Sequence, residues 1–478
     1  MKRQAVNPYL PSYEYVPDGE PHKFGDRIYV YGSHDKFDGP NFCMNDYVCW
    51  SAPENDLTDW RYEGVIWKKK DDPNYRKGSY MYAPDVCQGP DGKYYIYYAF
   101  SPSITRKSWA IRAAVADSPV GPFRYHGEVN LYPWTKEFLP FDPAVYVEDG
   151  RVWLYYGSAM FFPVLGVSRR TLKGGAVVEL APDMLTVIGE PKLTVPIVGK
   201  DNALGQHAFF EASSLRKIKG KYYFIYSSQL GHELCYATSD APDGEWTYGG
   251  TIVSIGNIGL EDYKDVKTAS NNTGNTHGSI VEAAGKYYVF YHRQTNRHCF
   301  SRQDCAEEIE IAPDGSIAQV KTTSCGLNGG PLEGKGRYEA RIACDLISRK
   351  GCRFYGGLVK MSKGCYPYFT QTGKDREDNP DQYIANFCDG ATAAYRYFAL
   401  ENTQSVSVSL KGRAKGRIVV RTEKGGDPVA LIPVDVSDKE NESVCAGAWT
   451  GSKEASVSEL RFTYEGTGRF SFISFTLE

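Results

Sequence analysis

The 478-residue chain is longer than one ordinary core supports, so two or three domains are expected. Its 42% hydrophobic and 24% charged content is that of a soluble globular protein, and a net charge of −3 argues against a nucleic-acid binder, which carries a basic patch. No run approaches the ~18 apolar residues that a membrane helix needs, so no membrane partner is expected.

The first sixteen residues, MKRQAVNPYLPSYEYV, have a basic start without an apolar centre. No secretory signal is read there and a cytoplasmic location is the expectation, although a trimmed secreted form looks the same. Twelve cysteines are scattered from Cys43 to Cys445 with no Cys-x-x-Cys pair. That pattern predicts buried free thiols rather than a disulfide framework or zinc sites. The 36 tyrosines favour strands, and their amphipathic rings also suit sugar faces.

Five segments then repeat one pattern, a turn followed by an aromatic strand: GDRIYVYGSHD, DGKYYIYYAFS, DGRVWLYYGSA, KGKYYFIYSSQ and AGKYYVFYHRQ. Their fifth residues, Tyr29, Tyr95, Trp153, Tyr223 and Tyr288, stand 66, 58, 70 and 65 residues apart. Each unit also carries a second hairpin signal with Pro, Asp and Gly at the turn, IEIAPDGSIAQV being the fifth. Units of this length built from short strands fit four-stranded blades, so residues 1–325 are predicted to form a five-bladed β-propeller. A pair of β-sandwiches does not explain so even a repeat. Neither the Trp-Asp endings nor the double glycines of protein-interaction propellers are present.

The Gly-rich stretch at 326–336 reads as a linker. Beyond it, residues 337–478 show alternating strands such as SVSVSLKG, GRIVVRTE and RFSFISFTLE, which predict a β-sandwich of jelly-roll type. The whole chain is therefore expected to be all-β. QTGKDREDNPDQ reads as a polar loop within the second domain.

Propeller blades surround an axial channel, so chemistry is sought just before each marker strand. Eleven or twelve residues before three of the markers stand Asp18, Asp142 and Glu211, one acid from each of three blades. A turn of variable length would accommodate the one-residue slip at Glu211. Asp85, ten residues before Tyr95, and His277, eleven before Tyr288, are the corresponding groups of the other two blades. Turn acids and structural histidines explain any one of these alone. Acids converging from several blades suit glycoside hydrolysis, in which one carboxyl is protonated and another ionised. A third can raise the acid's pKa by like-charge repulsion.

With these residues, VPDGEPHKFGDRIYVYGSHD, YAPDV, FDPAVYVEDGRVWLYYGS, FFEASSLRKIKGKYYFIYSS and THGSIVEAAGKYYVFYHR followed by FSRQD, the chain resembles glycoside hydrolase family 43. The resemblance implies an inverting mechanism with Asp18 as general base, Asp142 as pKa modulator and Glu211 as general acid. It implies that His277 is the axial histidine, which in several members helps hold Ca2+ or another cation through water. It implies that Arg302 contacts the sugar. No organic cofactor is expected. The family's first motif is commonly Asp-Pro, whereas Asp18 is followed by Gly19, which leaves Glu20 as a rival base.

The C-terminal part is similar to carbohydrate-binding module family 6, with Tyr395 and Trp449 as candidate stacking rings. The alternative, that the sandwich only packs on the propeller with those rings in its core, is preferred. The expected activity is release of terminal pentose from arabinose- or xylose-containing oligo- or polysaccharide, by an α-L-arabinofuranosidase or β-D-xylosidase. Asp85, His277 and Arg302 are the candidate sugar contacts. An endo-arabinanase and a non-catalytic carbohydrate-binding propeller are the alternatives. Subunit number is not legible.

Overall fold

The computed structural model describes residues 3–101, 109–160, 170–198, 204–357, 359–377, 381–451 and 457–478. The predicted repeats fold as antiparallel sheets, each laid down in chain order from a first strand near the axis. The first strands are Glu20–Phe24, Tyr80–Gln88, Ala144–Glu148, Phe209–Ile218 and Ile280–Ala283, and those of neighbouring blades lie against one another. Second strands such as Tyr94–Ser101 are apolar almost without alternation and nearly fully buried. A sheet covered on both faces requires that composition.

Five separate apolar clusters show what covers them. One joins Tyr31 and Tyr47 of the first blade to Met81 and Tyr98 of the second. Tyr97 of the second packs with Leu154 of the third, and Tyr155 of the third with Phe224 of the fourth. Ile225 and Tyr236 of the fourth meet Val289 and Tyr291 of the fifth. Val30 of the first meets Phe290 of the fifth, which closes the ring. Closure is reinforced where the Asn7 side chain donates to the Ala306 carbonyl at 2.9 Å, and where Gly19 bridges Gly278 beside the axis.

The fifth blade departs from expectation. Its sheet has three strands, and IEIAPDGSIAQV adds no fourth strand to it, forming the isolated bridges Ile311–Ile317 and Val253–Val320. The returning segment is captured by the fourth blade instead: Tyr236 accepts from the Ile317 amide at 2.9 Å, and Val320 donates to the Ile252 carbonyl at 2.8 Å.

The C-terminal strands form one strongly connected sheet, consistent with a β-sandwich. Ser405–Arg421 and Val457–Leu477 pair antiparallel along nearly their whole length. They enclose a core of Phe387, Phe398, Phe462, Phe472 and Phe475. Tyr395 is fully buried in this core and Trp449 packs at its edge, so neither ring is presented to a sugar. The stretch read as a linker is built into the domain: Leu332–Glu333 is a strand, and Leu332 is wholly buried. The two parts are tightly joined. Arg396 is buried, donates to the Thr322 carbonyl of the propeller at 3.0 Å and pairs with Asp345 at 2.5 Å. All twelve cysteines are free and ten of them are buried, as the spacing predicts.

Candidate active site

Strand register explains why acids from different blades meet. Tyr29 pairs with His22, Trp153 with Tyr146 and Tyr288 with Val281. In these blades the residue eleven before the marker therefore lies just ahead of the first strand, at the mouth of the channel. Asp18 and Asp142 occupy that place with φ of 60° and 43°, a left-handed conformation that few non-glycine residues adopt and that functional sites often hold. In the fourth blade a β-bulge between Glu211 and Ser214 adds one residue. The slip at Glu211 thus comes from the strand itself and not from turn length.

Asp18, Asp142, Glu211, His277 and Arg302 all line one cavity of about 470 Å³. This size lies within the range of small-molecule sites, about 300–1,000 Å³. Tyr80, Tyr82, Trp109 and Phe141 form one wall, with Asn41, Phe42 and Cys43 among the other lining residues. Asp142 also pins the backbone that carries Glu211, since the Ala212 amide donates to its Oδ2 at 3.0 Å.

The carboxyls are held in unlike states. Burial alone would raise Asp18, but Arg302, whose Nη1 donates to Asp18 Oδ1 at 2.8 Å, and His292 hold it well below the usual carboxylate range. Burial and then the Asp142 charge push Glu211 up to about 8. Asp142 is raised to about 7, by burial first and by Asp18, against the pull of His277. Glu211 and Asp142 titrate as an interacting pair. Asp18 and Asp142 are buried, whereas Glu211 stays partly open to the cavity.

Asp85 is not among the cavity-lining residues. It pairs with Tyr97, two residues past the marker, because the hairpin of its blade is one residue longer: Tyr95 pairs with Cys87, eight residues back, where the other markers pair seven back. Its carboxylate is bonded to His22 Nε2 at 2.6 Å and to the Val145 amide at 2.7 Å, below the cavity. Glu20 also lies off the cavity, with Oε2 accepting from Ser214 at 3.0 Å and Arg216 at 2.8 Å. Of the two rival bases, only Asp18 lines the cavity. The sequence reading missed Asp35, which takes Arg302 in a two-pronged pair at 2.8 and 3.0 Å and so fixes the guanidinium that faces Asp18. Its signal was present as the last residue of the first repeat, GDRIYVYGSHD.

Glu20 Oε1 and His277 Nε2 are both buried without a hydrogen-bond partner among the described residues and lie 3.5 Å apart. Glu20, His22 and Asp85 bring ligating atoms within 4.8 Å of one another. The unpartnered Glu20 oxygen and the lone pair of a deprotonated His277 Nε2 fit a cation whose remaining ligands are water, as hard cations with oxygen-rich shells accept.

An ionised carboxylate and a protonated one beside the same sugar-sized cavity suit cleavage of a glycosidic bond, and the protein is a glycoside hydrolase. Residues 12–317 match the glycosyl hydrolases family 43, and the chain belongs to that family. It is 44% identical to a xylosidase/arabinosidase of Thermoclostridium stercorarium over 100% of this chain and 99% of that protein. A calcium-free GH43 β-xylosidase/α-arabinofuranosidase from a compost microbial metagenome, solved with xylotriose, superposes with a TM-score of 0.52 at 27% identity. That match covers 67% of this chain and 97% of the other. An arabinoxylan arabinofuranohydrolase from Bacillus subtilis covers 98% of this chain, and the match 97% of that one, with a TM-score of 0.52. At 20% identity it supports the two-part fold alone.

Proposed function

We propose that the protein is an inverting exo-glycosidase that releases terminal pentose from arabinose- or xylose-containing plant oligo- or polysaccharides, with α-L-arabinofuranosidase or β-D-xylosidase activity or both. The observation that carries this reading is the opposed proton affinity of Asp18 and Glu211 across one cavity. The full-length likeness to a xylosidase/arabinosidase supports the choice of sugar.

In this reading, ionised Asp18 takes a proton from water as that water attacks the anomeric carbon. Protonated Glu211 gives its proton to the departing glycosidic oxygen. Asp142 keeps Glu211 protonated by its charge and holds the Ala212 amide beside it. Arg302 keeps Asp18 ionised and donates toward the sugar hydroxyls. A bound Ca2+ would be held by His277 and Glu20 through water and would supply positive charge near the carboxylates of the cavity. The C-terminal domain keeps its likeness to carbohydrate-binding module family 6 as a reading of its architecture, without Tyr395 or Trp449 as contacts.

Nitrophenyl α-L-arabinofuranoside and β-D-xylopyranoside test the proposal, with NMR of the first-formed anomer. Release of pentose with inverted configuration is expected, and activity on linear arabinan alone would mark an endo-arabinanase. Glu211→Gln should lose on the order of 10²–10⁴-fold on oligosaccharides, and less on nitrophenyl glycosides, whose leaving group needs little protonation. Unchanged turnover of oligosaccharide by this variant would overturn the assignment.

A further inference from the structure

The residues that wall the cavity beside Arg302 lie in an irregular segment, 32–46, between the strands Arg27–Tyr31 and Tyr47–Pro53. This segment contains no regular hydrogen-bond ladder, so something else must fix it. Asp38 and Cys43 within it have φ of 54° and 55°. Its inner side is tied to the site. The Cys43 amide donates to Asp35 Oδ1 at 2.9 Å, and the Phe42 ring lies 4.8 Å from the guanidinium carbon of Arg302. Phe42 also meets Phe300 edge-on at 4.7 Å.

Its outer side is held by the C-terminal domain. Residues 372–377, which follow the strand Tyr368–Gln371, reach across. Asp375 Oδ1 accepts from the Phe37 amide at 2.7 Å, and its Oδ2 accepts from Asn45 Nδ2 at 3.0 Å. Asn45 Nδ2 also donates to the Asp35 carbonyl at 3.0 Å. Arg376 contacts His34 Nε2 at 2.8 Å and pairs with buried Glu14. Lys360 of the same domain reaches Asp38 at 2.5 Å. One carboxylate thus bonds both ends of the segment that bears Asn41, Phe42 and Cys43. A flexible loop closed at both ends loses conformations that would otherwise compete with the bound one.

We propose that Asp375 and Arg376 are positioning residues for the active site. They hold the 32–46 segment so that Phe42 stays against Arg302, and the second domain thereby sets how tightly the terminal sugar is bound. This rests on the pentosidase reading above. The domain is then a structural part of the sugar pocket rather than a separate module that finds polysaccharide.

The test uses the full chain. Asp375→Ala should raise KM for the nitrophenyl pentosides about five- to tenfold with kcat changed less than about twofold, since a lost wall weakens binding before chemistry. Asn45→Ala breaks the same contact from the propeller side and serves if Asp375→Ala does not fold. In a Phe42→Ala background, Asp375→Ala should cost less than about twofold, because its effect runs through that ring. Lys424→Ala removes an exposed ion pair of 3.6 Å with Asp262 between the same two domains, away from the segment, and should leave KM unchanged. Amide hydrogen exchange at residues 37–46 should accelerate in Asp375→Ala but not in Lys424→Ala. Unchanged KM and exchange in Asp375→Ala and Asn45→Ala, or an equal loss in the Phe42→Ala background, would overturn the proposal. If the wild-type protein releases neither pentose, the activity reading fails on its own, and the exchange experiment still decides the clamp.

Discussion

Arg302 Nη1 lies 2.8 Å from Oδ1 of Asp18, while Nε and Nη2 of the same guanidinium are bonded to Asp35. One rigid cation therefore serves two buried carboxylates, and only Asp18 of the two lines the cavity. Arg is required for this because its planar fork presents fixed donors in two directions, which the single ammonium of Lys lacks.

Arg302→Lys should lower kcat/KM on the order of 10²-fold, and should do so most strongly at acid pH. The sign follows from the cause of the shift. Arg302 depresses the Asp18 pKa, so its removal raises it, and Asp18 is neutralised at a higher pH than in the parent. The acid limb of the kcat/KM profile should move upward. Arg302→Ala is the harsher variant, leaving Asp18 and Asp35 both buried without their shared guanidinium, at a stability loss of about 3–5 kcal/mol. An unmoved acid limb in Arg302→Lys would show that Asp18 is not the ionised group in turnover.

Asp142 raises the Glu211 pKa by its charge, so Asp142→Asn should lower it. Glu211 is useful only while protonated, and activity is lost as pH rises through its pKa of about 8. The alkaline limb should therefore move downward in Asp142→Asn, by on the order of one pH unit. Profiles of kcat/KM on a nitrophenyl pentoside and on an oligosaccharide check this. The shift should be clearer with the oligosaccharide, whose leaving group depends on the proton.

Much of this arrangement is legible in the sequence, and the exceptions have physical causes. The aromatic marker strands announced five blades because every blade must be apolar on both faces. Counting back from the markers then brought Asp18, Asp142, Glu211 and His277 to one cavity. Counting failed at Asp85 because the hairpin of its blade is one residue longer, so Tyr95 pairs eight residues back and an acid ten residues back sits two residues further down the channel. Offset along the chain measures depth only when the hairpins are of equal length. Asp35 was hidden because its partner Arg302 is 267 residues away. The polar loop around Asp375 looked like a solvated turn for the same reason: its partners Phe37 and Asn45 lie in another domain.

The orphaned pair Glu20 Oε1 and His277 Nε2 gives a prediction that needs no substrate. After treatment with EDTA, added CaCl2 should raise Tm by a few degrees, because a cation that binds only the folded protein stabilises it by mass action. His277→Ala should abolish most of that shift, and Lys424→Ala should leave it intact. A Tm that ignores Ca2+ and Mg2+ alike would remove the cation from the account.

The Asp-Gly in place of the common Asp-Pro has a local explanation that can be tested. A Cβ on Gly19 would lie 2.0 Å from Asp304 Oδ2, so the buried Asp304 side chain occupies the space that any larger residue would fill. Asp304 is itself held there by the Tyr9 hydroxyl, which donates to Oδ2 at 2.6 Å. Gly19→Ala should overpack this point by about 1–3 kcal/mol and displace the neighbouring Asp18. A drop in kcat/KM of about tenfold or more is expected. Asp304→Ala makes room but strands the Tyr9 hydroxyl, which carries its own penalty of about 1–3 kcal/mol. The informative comparison is therefore the double variant against Asp304→Ala alone. If space is the reason for glycine, adding Gly19→Ala to Asp304→Ala should cost nearly nothing in kcat/KM or Tm. An equal loss in both backgrounds would mean that Gly19 is needed for its backbone and not for the room it leaves.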